Sequence, residues 1–263
     1  MAQHELTVAL AQLTPALRDP AANLARMQDV IATHAETDLV VFPELFWGGY
    51  TTTGLEPLAC DPHGGAFAEL AACAARHGTA VLFGGAEAVE DGFANSAFFI
   101  DQEGRPGGTY RKAQLFGDES AAFVPGDELR LITVAGHRLG VMICFDIEFP
   151  EVARALARAG AEALVTISAN MTPFGFDHHL FATARAVENG LPHIYVNQVG
   201  KGEQFVFTGG SMAVSVDGEL NARAGDQDET VTRARLALPA RSEIRPDYLA
   251  LRRDVLPVAG GGD

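Results

Sequence analysis

Lysine is almost missing from this chain: 263 residues include only Lys112 and Lys201, against seventeen arginines. Where lysine does appear, a chain that otherwise uses arginine has reason to need it. Bases are few altogether. The 34 acids outnumber the 19 bases for a formal charge of −15, spread along the chain rather than gathered in a tail, so polyanions are repelled and nucleic acid is excluded as a partner. Cysteine is scarce as well. Cys60, Cys73 and Cys144 form an odd set without a CxxC, which excludes a disulfide framework and a zinc finger and fits a reducing compartment. No segment approaches 18 apolar residues, and MAQHELTVALAQL at the N-terminus lacks a basic region and is interrupted by Gln12, so neither a membrane span nor a secretory signal is expected. The expectation is a soluble, cytoplasmic protein. Linkers, low-complexity tracts and solenoid-period repeats are also lacking, so residues 1–263 read as one domain. The stretch from about 240 to 263 reads as a tail, with Gly-Gly-Gly-Asp as a frayed end.

What is present is a large apolar fraction, 48%, arranged as alternating strands and helices. Residues 6–12 (LTVALAQ) read as a strand. Asp19 and Pro20 then supply an N-cap and an N1 proline for a helix whose Leu24, Met27, Val30 and Ile31 share a face. LVVF at 39–42, 79–86 and 93–101 read as strands, and the Ala-rich run from Gly65 reads as a helix ended by Gly78. LGVMIC and ALVTIS are expected strands separated by a helix beginning near Pro150. FATARAVENG reads as a helix leading into the strand HIYVN. Toward the C-terminus, SMAVSV runs into the Asp217-Gly218 turn and TVTRARLAL alternates as another strand. The class is α/β, with sheet layers flanked by helices; periodicity leaves open whether there is one sheet or two.

Three chemically capable residues sit where strands are expected to end: Glu44 after VVFP, Lys112 in TYRKAQLF and Cys144 after GVMI. Each has a plain reading. Cysteine in an apolar strand is usually packed core, glutamate after proline a solvated turn residue, and lysine in Tyr-Arg-Lys a surface base. CFDIEFPE, however, puts the thiol on a strand-to-helix turn. A helix N-terminus behind such a turn presents backbone N–H groups to a developing anion, as acyl transfer to sulfur requires.

The chain resembles the nitrilase or carbon–nitrogen hydrolase superfamily, and within it the bacterial carboxamide amidases. The pieces that carry the resemblance are FPELFWGGY (42–50), YRKAQLF (110–116) with ESAAFVPGD (119–127), and ICFDIEFPE (143–151), in that order, supported by SANM (168–171), ARAVENG (184–190) and GGSMAVSVDGE (209–219). The resemblance implies a four-layer αββα sandwich assembled as a homodimer or higher homo-oligomer. It also implies Cys144 as nucleophile, Glu44 as general base and acid, and Lys112 with the Phe145 N–H as the oxyanion hole. Glu119, followed by Phe123 and Pro125-Gly126, takes the place of the family's second glutamate. The chemistry needs these types: a thiol is only a few per cent ionised at neutral pH, so a base must take its proton, and a compact ammonium can aim one donor at an oxyanion. Trp47, Tyr50, Phe149, Asn170 and Phe174 are candidate pocket residues, for which core packing is the competing reading. Glu151 and Arg154 read as a brace on the helix behind Cys144. Asp177-His178-His179 does not read as a metal site, because adjacent histidines diverge and no carboxylate has matched spacing, and no cofactor is implied. The expected reaction is hydrolysis of a small carboxamide to acid and ammonia through a thioester. Nitrile and N-carbamoyl hydrolysis stand as alternatives, as does a silent metabolite-binding member; a redox sensor would lack a resolving cysteine.

Overall fold

The computed structural model describes residues 4–253, so the Gly-Gly-Gly-Asp end lies outside the described residues. In chain order the elements are β1 (His4–Gln12), α1 (Pro20–Thr33), β2 (Leu39–Val41), α2 (Gly65–His77), β3 (Ala80–Val89), β4 (Gly92–Ile100), β5 (Pro106–Arg111), α3 (Glu119–Ala122), β6 (Arg130–Val134), β7 (His137–Ile143), α4 (Pro150–Arg158), β8 (Ala163–Ser168), α5 (Gly175–Asn189), β9 (His193–Asn197), β10 (Val199–Lys201), β11 (Val206–Thr208), β12 (Met212–Val214), β13 (Leu220–Arg223), β14 (Thr230–Leu238) and α6 (Tyr248–Leu251). The question of one sheet or two resolves as two six-stranded sheets, ordered β14-β1-β2-β3-β4-β5 and β13-β12-β9-β8-β7-β6. Each is built on three parallel strands, β1-β2-β3 and β7-β8-β9, with antiparallel strands added at both sides.

Strand alternation makes the layers. On β1, Leu6, Val8 and Leu10 enter a core shared with Val141 and Ile143 of β7 and Val165 and Ile167 of β8, so the two sheets pack face to face. Ala9 and Ala11, pointing the other way, join Leu24, Met27 and Ile31 of α1 and Phe67 and Leu70 of α2. Beyond the second sheet, Met142 and Leu164 meet Val152 and Leu156 of α4, while Tyr195 and Met212 meet Ala182 and Ala186 of α5. The order of layers is thus αββα. The helix signals act as expected: the Asp19 side chain accepts from Ala22 N, and Gly78 closes α2 in the left-handed conformation at φ 62°.

Several elements differ from the expectation, each for a physical reason. β5 is not an apolar strand; PGGTYR is an edge strand that buries Tyr110, and Gly107 lies where a Cβ would stand 2.2 Å from the Phe99 ring. The α5 helix starts at Gly175, before FATARAVENG, because its inner face carries His178, Arg185 and Asn189 and so hides the apolar period. The β12–β13 hairpin forms around Asp217-Gly218, but β14 crosses to pair with β1 in the other sheet. β6, β10 and β11 were not apparent in the pattern. Glu151 and Arg154 do not pair; the turn after Cys144 is braced by Arg185, whose Nε and Nη2 donate to the carbonyls of Ile147 and Glu148 at 2.9 and 3.1 Å. Among the described residues, no helix is long and apolar enough to cross a membrane.

Candidate active site

The two sheets bring their C-terminal strand ends to a common rim, and the chemically capable residues meet there. Glu44 follows β2, the middle parallel strand of its sheet, and Ala169 follows β8, the middle strand of the other. The Ala169 N–H donates to Glu44 Oε2 at 2.8 Å, which ties the two rims together. Cys144 leaves β7, and Lys112 leaves the edge strand β5. Alternation along β5 places Tyr110 and Lys112 inward and turns Arg111 outward onto Glu87, with both N···O distances at 2.8 Å.

Lys112 is the centre of the network. Its Nζ donates to Glu44 Oε1 at 2.7 Å and to Glu119 Oε2 and Oε1 at 2.8 and 3.0 Å, with all three side chains at most 1% exposed. Glu119, the first residue of α3, also accepts from Tyr50 Oη at 2.9 Å and from the Phe116 N–H at 2.8 Å. Asn95 of β4 donates through Nδ2 to Glu44 Oε1 at 2.7 Å and to Glu119 Oε1 at 3.4 Å. Burial and the neighbouring Glu119 charge push the Glu44 carboxyl above its ordinary range, against the pull of Lys112. Burial alone would lower the ammonium, but Glu44 and Glu119 hold it well above its ordinary value, so Lys112 is charged. Two buried carboxylates share one cation.

Glu44 itself is held by close backbone approach. Leu45 adopts φ +50°, the Glu44 carbonyl accepts from Gln198 Nε2 at 2.7 Å, and Gly84 of β3 lies directly behind. A Cβ on Gly84 would stand 2.3 Å from Leu45 N and 2.6 Å from Glu44 Cα, against backbone that cannot swing aside. Gly84→Ala is therefore expected to lower turnover by about 100-fold through displacement of Glu44 and to cost about 1–3 kcal/mol of stability. Gly85→Ala is the comparison, since its methyl meets only side chains at 3.1 Å or more. Equal activity in the two variants, measured beside urea denaturation, would show that the position of Glu44 is not critical.

Cys144 opens the 3₁₀ segment Cys144–Glu148 in the left-handed region at φ +44°, a conformation that costs a β-carbon residue about 1–2 kcal/mol. The helix start expected directly behind the thiol is this 3₁₀ turn; α4 begins only at Pro150. Asp146 fixes the turn: its Oδ2 accepts from the Ile143 N–H at 2.9 Å and Tyr110 Oη at 2.7 Å, and its Oδ1 accepts from the Gln114 N–H at 2.9 Å. The thiol is 8% exposed, and burial followed by the Glu44 charge pushes its pKa up, so it is a neutral thiol at rest. The neighbouring Ser168 side chain pulls the other way, toward the thiolate, without overcoming burial. Behind Ser168 lies a polar relay in which Tyr195 Oη reaches Ser168 Oγ at 3.3 Å and His178 Nδ1 at 3.1 Å, and His178 Nε2 lies 3.4 Å from Glu148 Oε1.

A small recess opens over the thiol. Of the candidate pocket residues, Tyr50, Asn170 and Phe174 line it, as do Lys112, Glu119 and Phe145. Trp47 does not: it is 4% exposed and packs on Phe83, in the core between the first sheet and its helices. Phe149 stands behind Phe145, edge-on at 5.1 Å, and is not a wall of the recess. Phe116, Met171, Asn95 and Asp146 belong to the site or its support without having been singled out, and His178, weighed in the sequence only as a metal ligand, lines the recess. Asn95 carried a signal, as part of the polar pair Asn95-Ser96 inside an apolar strand. His178 and His179 do diverge, the latter meeting the Gly210 carbonyl at 3.0 Å.

An αββα sandwich that gathers a thiol, an ammonium and two carboxylates at the shared strand ends is the architecture of a nitrilase-type hydrolase. The carbon–nitrogen hydrolase family model matches residues 7–246, and the chain belongs to that family. It is 38% identical to an (R)-stereoselective amidase from Pseudomonas sp. over 97% of this chain and 93% of that one. It is 32% identical to a nitrilase from Pyrococcus abyssi over 88% and 89% of the two chains. Among solved structures, it superposes at a TM-score of 0.84, with 29% identity over 95% of this chain and 94% of the other, on a mutant amidase from Nesterenkonia sp. AN1. That structure shows covalent addition of the acetamide moiety of fluoroacetamide at the active site cysteine.

Proposed function

We propose that the protein hydrolyses a small carboxamide to a carboxylic acid and ammonia through a thioester on Cys144. The observation that carries the reading is the buried Glu44–Lys112–Glu119 network converging on a neutral thiol beneath a small recess. Ionised Glu44 takes the thiol proton as the sulfur–carbon bond forms, and the carbonyl oxygen becomes an oxyanion stabilised by Lys112 and the Phe145 N–H. Glu44 returns the proton to nitrogen as the carbon–nitrogen bond breaks and ammonia leaves. Water then attacks the thioester with Glu44 again as base, giving the acid and restoring the thiol. Glu119 holds Lys112 and Tyr50 in place. The amidase names among the relatives support amides over nitriles, and the intact Cys144, Glu44 and Lys112 argue against a silent binding member. We read the protein as cytoplasmic and as working in a homodimer or higher homo-oligomer.

The test is ammonia release over a panel of amides, nitriles and N-carbamoyl compounds, with the intact mass of the protein recorded after rapid quenching. Amides are expected to release ammonia and to leave an acyl mass increment on Cys144. The raised pKa of Glu44 places the acid limb of kcat/KM above the ordinary carboxylate value of 4.5. Turnover of nitriles alone, or binding with neither ammonia nor adduct, would refute the reading.

A further inference from the structure

A second, larger cavity adjoins the thiol recess and shares Tyr50, Phe116 and Glu119 with it as common walls. The recess is the smaller of the two, so a substituent that outgrows it is directed past these three residues into the cavity. The far walls come from the β10–β11 hairpin and the segments at Thr51 and Gly117. They combine aromatic rings, Phe205 and Phe207, which lie edge-on to Tyr50 at 5.9 and 5.8 Å, carboxylates, Asp118 and Glu203, and the neutral polar side chains of Thr51, Thr52 and Gln204. No cation lines it. Arg18 lies behind, committed to Thr51, Thr53 and, at 3.4 Å, Glu203. The Asp118 carboxylate makes no hydrogen bond or ion pair among the described residues and makes no side-chain capping bond to α3.

Resting on the amidase reading, we infer that this cavity selects carboxamides whose substituent ends in a protonated amine and rejects those that end in a carboxylate. Carboxylates and ring faces both favour a cation, the second through the negative face of the aromatic quadrupole. An anion placed there meets Asp118, and a Glu203 that Arg18 offsets only in part from 3.4 Å, in a protein that already carries −15.

The test compares kcat/KM for three amides of matched length, 6-aminohexanamide, hexanamide and 5-carbamoylpentanoate, with propanamide alongside. The expected order is cation above neutral above anion, with steps of about fivefold for each exposed carboxylate that acts. Addition of 0.5 M sodium chloride compresses the order, since the Debye length then falls below ~8 Å. In Asp118→Asn combined with Glu203→Gln, the ratio of the cationic to the neutral amide collapses toward one. Equal rates for the three amides, or a ratio unmoved in the double variant, overturn the inference alone. Turnover of propanamide without any of the longer amides does the same. Ammonia from none of the four overturns the amidase reading, and the inference with it.

Discussion

Cys144→Ala is expected to lose ammonia release from small amides by at least about 10⁴-fold while its melting temperature moves by no more than about 4 °C. The thiol is neutral in the resting protein because burial and the Glu44 charge raise its pKa, so its removal leaves no counter-charge stranded. What is lost is a sulfur atom's packing and its contact with Ser168, worth about 1 kcal/mol. Alanine retains the β-carbon, so the left-handed backbone at φ +44° keeps the strain it already had. The acyl mass increment should vanish with activity. Cys60→Ala and Cys73→Ala are the controls: both thiols sit among Phe67, Phe83 and Phe98 or their neighbours in the core between helices and sheet, and both variants should keep turnover. Activity surviving in purified Cys144→Ala would sink the nucleophile role. Loss of activity together with unfolding would return Cys144 to the plain reading of a core cysteine.

How much of this was legible in the sequence depends on where each element draws its signal. Buried parallel strands such as LVV and ALVTIS announce themselves, because both faces are covered and the run is apolar apart from Thr166 and Ser168. The edge strand β5 does not, since only Tyr110 and Lys112 turn inward and neither fits an apolar pattern. The same partition holds at the site. Glu44, Lys112, Glu119 and Cys144 lie in motifs whose order along the chain carries the family resemblance. Asp146 and Ser168 lie in such motifs too and Asn95 does not, but all three act through hydrogen bonds 2 to 51 residues away in sequence, as in Asn170 N to Ser168 or Asn95 to Glu44, and the motifs do not say which partners they meet. The aromatic candidates were the least legible. Tyr50 and Trp47 sit in one short segment, yet Tyr50 faces Glu119 and the recess while Trp47 faces Phe83 and the core; the left-handed Leu45 and the turn at Gly49, φ +81°, set that difference in backbone that periodicity does not describe.

Lys112→Met is expected to remove turnover and a large share of stability together. Among the described residues the ammonium is the only cation bonded to the two buried carboxylates, and its loss leaves Glu44 and Glu119 facing one another with Asn95 and Tyr50 as their remaining side-chain donors. Breaking a buried ionic set in this way costs about 3–5 kcal/mol, and loss of the oxyanion donor costs about 10²–10³ in kcat on its own. The stability deficit must depend on pH in a definite direction. A carboxyl whose folded pKa is raised destabilises the fold when ionised, and the penalty is relieved as pH falls through that pKa; Glu44 is already raised with Lys112 present and rises further without it. Urea denaturation should therefore find the variant closer to wild type at pH 5 than at pH 8. Lys112→Arg separates charge from shape. It restores a cation but forces a planar guanidinium into a site where Lys112 is 1% exposed and its ammonium already bonds both acids, at an overpacking cost of about 1–3 kcal/mol. Its stability should lie between wild type and Lys112→Met, with a weaker pH dependence, while its turnover stays nearly as low as that of Lys112→Met. If the arginine variant instead keeps most of the wild-type turnover, positive charge alone is what the reaction uses. The scarcity of lysine in this chain would then say nothing about the oxyanion.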